Sequence, residues 1–139
     1  MTTITCVEDL RCLYHRRVPK MFVDYCEAGS WTERTLRRNS QAFSEVALRQ
    51  RVAVDLNNRS IKGRMLGEQW SMPVAIAPTG LAGMQHADGE ILAAQAAEEF
   101  GVPFTLSTMS ICSIEDVAAH TSKPFWFQVY TLKDDGRDQ

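Results

Sequence analysis

Apolar positions in the first third of the chain recur every three or four residues, the period of an amphipathic helix. Val7, Leu10, Leu13 and Tyr14 mark a first helix, with Thr5 and Glu8 in capping-box spacing ahead of it. Pro19 suits the first turn of a second helix, where its missing N–H costs nothing. Met21, Phe22 and Tyr25 follow, and Gly29 is the expected stop. Ser30 and Glu33 repeat the capping pattern and open a third helix through Leu36 and Phe43.

The pattern then changes. Residues 60–70, with Gly63 and Gly67, predict a strand-turn-strand excursion. Residues 73–78 form a short continuous apolar run between Pro73 and Pro78, the kind buried on both faces of a parallel sheet. Asp88 is the expected cap of an Ala-rich helix from Gly89 to Phe100 that Gly101 ends. A second apolar strand runs over residues 104–106, Ser113 and Asp116 cap another helix, and a third strand covers residues 125–130. Strand, helix, strand, helix, strand at this spacing predicts parallel strands joined by helical crossovers. The division is a helical extension over about residues 5–50 and first βα units over about residues 60–139.

Composition narrows the classes. The 139 residues suit one globular domain, with 45% hydrophobic and 23% charged residues. A net charge of −2 argues against a nucleic-acid module, despite basic clusters at 15–17, 37–38 and 49–51. No apolar run reaches the roughly 18 residues of a membrane span, and the N-terminus lacks a signal-peptide core, so a cytoplasmic location is expected. Cys6, Cys12, Cys26 and Cys112 form no C-x-x-C pair and are expected as reduced, mostly buried thiols. His15, His86 and His120 lack metal-ligand spacing, and no metal is expected.

Polar residues sit where the apolar strands finish: Pro78, Thr79 and Gly80, then Ser107 and Thr108, then Gln128 and Tyr130. Ligands of parallel α/β proteins bind beyond the carboxyl ends of the strands. Gln128 lies within an aromatic strand, where an amide needs its donors and acceptors paired. A flat heteroaromatic ring would pair it, and so would neighbouring backbone. For Ser107 a local turn bond competes with a ligand role. For Tyr25 and Tyr130 the competing readings are helix packing and a strand-end rim. Gly80 and Gly83 do not make a G-x-G-x-x-G fingerprint, but small residues let backbone N–H groups approach a ligand face.

At these residues the chain resembles the N-terminal part of the FMN-dependent L-2-hydroxy acid dehydrogenases and oxidases, most closely the bacterial L-lactate dehydrogenase branch. The resemblance is carried by MFVDYCEAGSWTERTLRRN, EVALRQRV, SMPVAIAPTGLAGM, ADGEILAAQAAEEFGVPFTLSTMSICSIEDVA and PFWFQVY, in order, between about residues 7 and 133. It implies an α/β fold: N-terminal helices plus about the first three strands of a (β/α)8 TIM barrel. It implies FMN as cofactor and a small L-2-hydroxy acid, lactate foremost, as substrate. Tyr25 would hold the substrate carboxylate and Tyr130 would stabilise developing charge. Pro78, Thr79 and Gly80 would pass the reactive edge of the flavin, and Ser107 and Gln128 would bond polar atoms of its ring. The family's catalytic histidine belongs to an S-N-H-G-G-R-Q motif that does not occur here, so no catalytic residue is assigned; His86 and His120 stand in other contexts. The electron acceptor stays open between oxygen, quinone and cytochrome. Homo-oligomerisation and peripheral association with the inner membrane are expected from the relatives.

Two other readings compete: a non-catalytic remnant or interaction module, and another FMN- or phosphate-binding barrel such as type 2 isopentenyl diphosphate isomerase or inosine monophosphate dehydrogenase. Tyr25 and the W-F-Q-V-Y strand favour the hydroxy acid family. The hydrophilic ending LKDDGRDQ suggests a truncated or split reading frame. With three of eight strands the sheet would keep unpaired edges. The isolated chain is expected to be poorly stable, to bind FMN weakly or not at all, and to lack turnover. Yellow FMN retained through gel filtration of the isolated chain would contradict this.

Overall fold

The computed structural model describes residues 3–131, in two compact units that divide after Arg59. The first contains α1 (Val7–Arg17), α2 (Lys20–Glu27) and α3 (Arg34–Ser44). The second contains β1 (Gly63–Met65), β2 (Glu68–Trp70), α4 (Ala82–Gln85), α5 (Gly89–Phe100), β3 (Thr105–Leu106), α6 (Ile114–Ala119) and β4 (Trp126–Phe127).

Helix starts in the first unit differ from the sequence expectation by local chemistry. Cys6, not Thr5, is the N-cap of α1. Asp9, not Glu8, reaches back, accepting from the Thr5 N–H and hydroxyl at 2.8 Å each and from the Cys6 N–H at 3.2 Å. Those backbone and hydroxyl donors hold the Asp9 carboxyl below its ordinary range. Ser30 does not cap α3. Its carbonyl accepts the Glu33 N–H in a preceding turn, and Glu33 itself is the N-cap, in a left-handed conformation. The α1–α2 pair is tied by polar contacts. Arg11 donates twice to Glu27, at 2.8 and 2.9 Å, His15 Nε2 lies 2.8 Å from the same carboxylate, and the Tyr14 hydroxyl donates to the Phe22 carbonyl at 3.3 Å. Only Val23 is buried among the described residues of this unit.

The second unit has its own core. Residues 90, 94 and 97 share one face of α5, and Ile91, Ala94 and Ala97 pack with Val102, Phe104, Leu106 and Val117. Small side chains on that face let the helix lie close over the strands. Gly101 ends α5 at φ +67°, a conformation in which glycine carries no Cβ penalty. Asp88 precedes α5 as expected but at φ 55° and without a side-chain cap bond, whereas Ser113 Oγ accepts the Asp116 N–H at 3.0 Å as predicted for α6.

The expected strand-turn-strand is a tight antiparallel hairpin, with Gly63 opposite Trp70 and the turn residues Leu66 and Gly67 both at positive φ. The apolar strands are shorter than predicted. Residues 73–78 contribute only a parallel bridge from Ile76 to Phe104, and residues 125–130 only Trp126–Phe127 as regular strand. Pro73 and Pro78 bracket the first run, Pro103 and Pro124 precede the others, and none of the four can donate to a ladder. The pairing is parallel, in chain order. The Ile76 N–H donates to the Pro103 carbonyl at 2.8 Å, Thr105 pairs with Trp126 and Leu106 with Phe127. Cys6, Cys12 and Cys26 are exposed and Cys112 half-buried, which corrects the expectation of mostly buried thiols; all are unpaired. Cys12 and Cys26 lie on short helices and Cys6 caps one, in a unit where only Val23 is buried among the described residues.

Two outcomes follow from this packing. Leu106 is fully buried at the centre of the core, so Leu106→Ala should lower the unfolding free energy by about 2–5 kcal/mol, read from urea denaturation. Arg11 foremost, then His15, holds the Glu27 carboxyl down to about 2 from an ordinary 4.5. A depressed acid contributes stability above its unfolded value and loses it on protonation. The α1–α2 pairing should therefore be intact above about pH 4.5 and weaken as pH falls toward 2, measured by the carboxyl chemical shift of Glu27.

Candidate functional site

Parallel register decides what stands together at the strand tips. The offset that pairs Thr105 with Trp126 and Leu106 with Phe127 sets Ser107 beside Gln128. The Ser107 hydroxyl donates to Gln128 Oε1 at 3.4 Å and accepts the Met109 N–H at 3.1 Å. The Thr108 N–H also donates to Gln128 Oε1, at 3.3 Å, and the Thr108 hydroxyl donates to the Gln128 carbonyl. The ladder itself continues, with the Gln128 N–H donating to the Leu106 carbonyl at 2.9 Å. Ser107 is buried and Gln128 half-buried.

This arrangement orients the amide. With Oε1 receiving two donors, Gln128 Nε2 meets no acceptor among the described residues, and its N–H groups are available. The sequence left two partners open for Gln128, and neighbouring groups satisfy its acceptor half only.

The first loop comes alongside. Ile76 bridges Phe104, so the same offset sets Thr79 level with Ser107, and both line a cavity of about 180 Å³ with Ala77, Ala82 and Glu90. The Leu81 N–H donates to the Met109 carbonyl at 2.9 Å, pinning the first loop to the second. A Cβ on Gly80 would stand 3.1 Å from Met109 Cβ and 3.8 Å from Ser107 Oγ, so a side chain there would press Met109 outward by a few tenths of an ångström. Pro78 and Thr79 are exposed, and the Thr79 hydroxyl turns back to the Ala77 carbonyl at 3.4 Å.

Five of the seven residues named from the sequence therefore gather at one set of strand tips: Pro78, Thr79, Gly80, Ser107 and Gln128. Tyr130 lies two residues beyond Gln128, exposed, its hydroxyl without a partner among the described residues. Tyr25 belongs to the first unit, on α2, and is 62% exposed rather than packed into that unit. His86 and His120 are engaged locally, each ring Nδ1 at 2.7 Å from a nearby carbonyl (Ala87 and Asp116). Among the described residues no group of acidic, histidine or cysteine side chains could hold a metal.

Glu90 was missed. It is 2% exposed, and its Oε1 accepts the Gly83 N–H at 2.9 Å and the Ile111 N–H at 3.0 Å. Burial raises its pKa, but the Ile111 and Gly83 donors outweigh that and hold the carboxyl below its ordinary value. Burial and the adjoining Glu90 carboxylate push the Cys112 thiol up. The signal was present in the helical spacing: residue 90 shares the face of Ala94 and Ala97, where an acid must be buried.

The chain's donors suit the polar edge of a flavin ring: a half-buried amide whose N–H groups meet no acceptor among the described residues, with the bare Gly80 backbone on the neighbouring loop. Residues 14–139 match the family model described as FMN-dependent dehydrogenase. An L-lactate dehydrogenase of Acinetobacter baumannii is 48% identical over 128 residues, covering 92% of this chain and 33% of that protein. One of Vibrio parahaemolyticus is 46% identical over 133 residues, covering 96% of this chain and 35% of that protein. Among solved structures, a monotopic membrane protein, (S)-mandelate dehydrogenase, superposes with a TM-score of 0.90 at 38% identity, over 96% of this chain and 36% of that one. A soluble mutant of the membrane-associated (S)-mandelate dehydrogenase from Pseudomonas putida gives 0.88 at 39% identity, over 94% and 38%. The chain thus spans about a third of the length of these relatives. The helices followed by parallel βα units are those of an incomplete TIM barrel. On the family match and the strand-tip geometry together, this chain belongs to the FMN-dependent dehydrogenase family.

Proposed function

We propose that this chain forms the flavin-edge portion of an FMN-dependent oxidoreductase that converts L-2-hydroxy acids to 2-oxo acids, with L-lactate as first substrate. The observation that carries the reading is the Ser107–Gln128 pair at the parallel strand tips, with the amide donors of Gln128 meeting no acceptor among the described residues. Identity of 48% to an L-lactate dehydrogenase supports lactate over bulkier acids.

In this reading Ser107 and Gln128 would hold polar atoms of the FMN ring, with Ser107 fixing the amide, and the backbone of Pro78, Thr79 and Gly80 would pass beside the ring. Bound FMN supplies a two-electron acceptor for the oxidation of the α-carbon. Tyr25 donates its hydroxyl to the substrate carboxylate, and Tyr130 donates to the substrate oxygen as charge develops. A phenol suits both tasks, being a donor on a rigid apolar body. The proton acceptor of the reaction is not assigned to any residue of this chain, so turnover requires the rest of the barrel.

No helix among the described residues is long and apolar enough to cross a membrane. The monotopic mandelate dehydrogenase supports association of this chain with a membrane surface; a cytoplasmic location at the inner membrane and a membrane-linked electron acceptor belong to the same proposal. Assembly into a homo-oligomer is part of the same reading.

The test is co-expression of this chain with the C-terminal portion of an L-lactate dehydrogenase relative. Recovered FMN and L-lactate-dependent dye reduction are expected. Gln128→Leu, which keeps the volume and removes the donors, should weaken FMN binding about tenfold or more, measured by flavin fluorescence titration. A complex that holds FMN yet reduces no dye with any 2-hydroxy acid would overturn the activity and favour a non-catalytic remnant.

A further inference from the structure

Loops at the tips of parallel strands owe their relative position to whatever ties them together below the ligand face. Here the first loop follows Ile76 and the second follows Leu106, and regular ladder pairing between these segments stops at a single bridge. Above that bridge the Leu81 N–H donates to the Met109 carbonyl at 2.9 Å. The remaining constraint comes from α5. Oε1 of Glu90 receives the N–H of Gly83 from one loop and that of Ile111 from the other, at 2.9 and 3.0 Å. A Cβ on Gly83 would stand 2.7 Å from Ile111 Cβ and 2.9 Å from Glu90 Oε2, so glycine is what permits this closeness. The carboxylate also adjoins the Cys112 thiol. Burying a carboxylate is costly, and the two loop N–H groups that meet it offset that cost.

We infer that Glu90 is a positioning residue: one carboxylate oxygen braces the two βα loops against each other and so sets the spacing between the Gly80 backbone and the Ser107–Gln128 pair. The role depends on reach and on an acceptor oxygen, not on charge. The part concerning FMN rests on the reading given above, while the brace itself does not.

The experiment is amide hydrogen exchange on the full chain, unaltered and as Glu90→Gln, Glu90→Asp and Glu90→Ala. In the unaltered chain both the Gly83 and Ile111 amides should be protected. Glu90→Ala should raise exchange at both together by about tenfold or more, the value of a buried bond to a charged acceptor, with α5 and the Phe104–Leu106 segment unchanged. Glu90→Gln keeps an oxygen at the same reach and should restore both amides. Glu90→Asp keeps the charge, falls one methylene short and should resemble Glu90→Ala. Gly83 and Ile111 amides that exchange freely while α5 stays protected in the unaltered chain, or a response at one loop without the other, would overturn the brace. Should Glu90→Ala fail to fold, the remaining pair decides: a protected Gln variant with an impaired Asp variant supports the brace, and the reverse overturns it.

A second arm adds FMN to the chain complemented with the rest of the barrel. The visible flavin band should shift in Glu90→Asp and not in Glu90→Gln. Absence of FMN binding with the exchange pattern intact overturns the flavin reading alone and supports the brace.

Discussion

Parallel backbone pairing is the constraint on which the site depends. A parallel ladder holds its partners at a constant sequence offset, so a polar residue at the end of one strand meets the residue at the same height on the next. The offset between β3 and β4 brings Phe104 against Phe125, ring centroids 6.1 Å apart, at the base and Ser107 against Gln128 at the tip. Slippage by one residue would send Gln128 to the other face, because side chains alternate. The aromatic contact below and the amide contact above therefore depend on one register.

That register is held from outside by helix packing. The small residues of α5 allow Ile91, Ala94 and Ala97 to pack with Phe104 and Leu106, and Val117 of α6, which lies against α5, joins the same cluster. The same face carries Glu90, whose burial would be unfavourable if the loop amides did not meet it. Core and site are thus coupled through one helix: its apolar turns fix the strands, and its first turn fixes the loops that leave them.

Much of this was legible along the chain. The helix-then-βα order, the Ser113 cap, the glycine at the end of α5 and the gathering of polar residues at strand ends follow from local pattern and agree with the structure. The misreadings are equally local. Thr5 with Glu8 and Ser30 with Glu33 satisfy the capping spacing, but Asp9 and a turn at Ser30 claim the same backbone donors. The apolar runs were read as full strands, whereas regular pairing covers only a few residues; Pro73 and Pro78 bracket the first run, and Pro103 and Pro124 precede the others. The thiols were expected inside because cysteine is usually buried; three of them lie on or cap helices with little core beneath.

By itself, the sequence determined the period of each segment, the order of helices and strands, and which residue types end each strand, because these depend on neighbours within a few positions. Only the tertiary structure decided that Ser107 meets Gln128, that the amide donors meet no acceptor among the described residues, and that Glu90 lies beneath two loops at once. The Ser107–Gln128 and Glu90–Ile111 contacts join residues 21 positions apart. They are set by strand offset and helix packing, which no local pattern encodes.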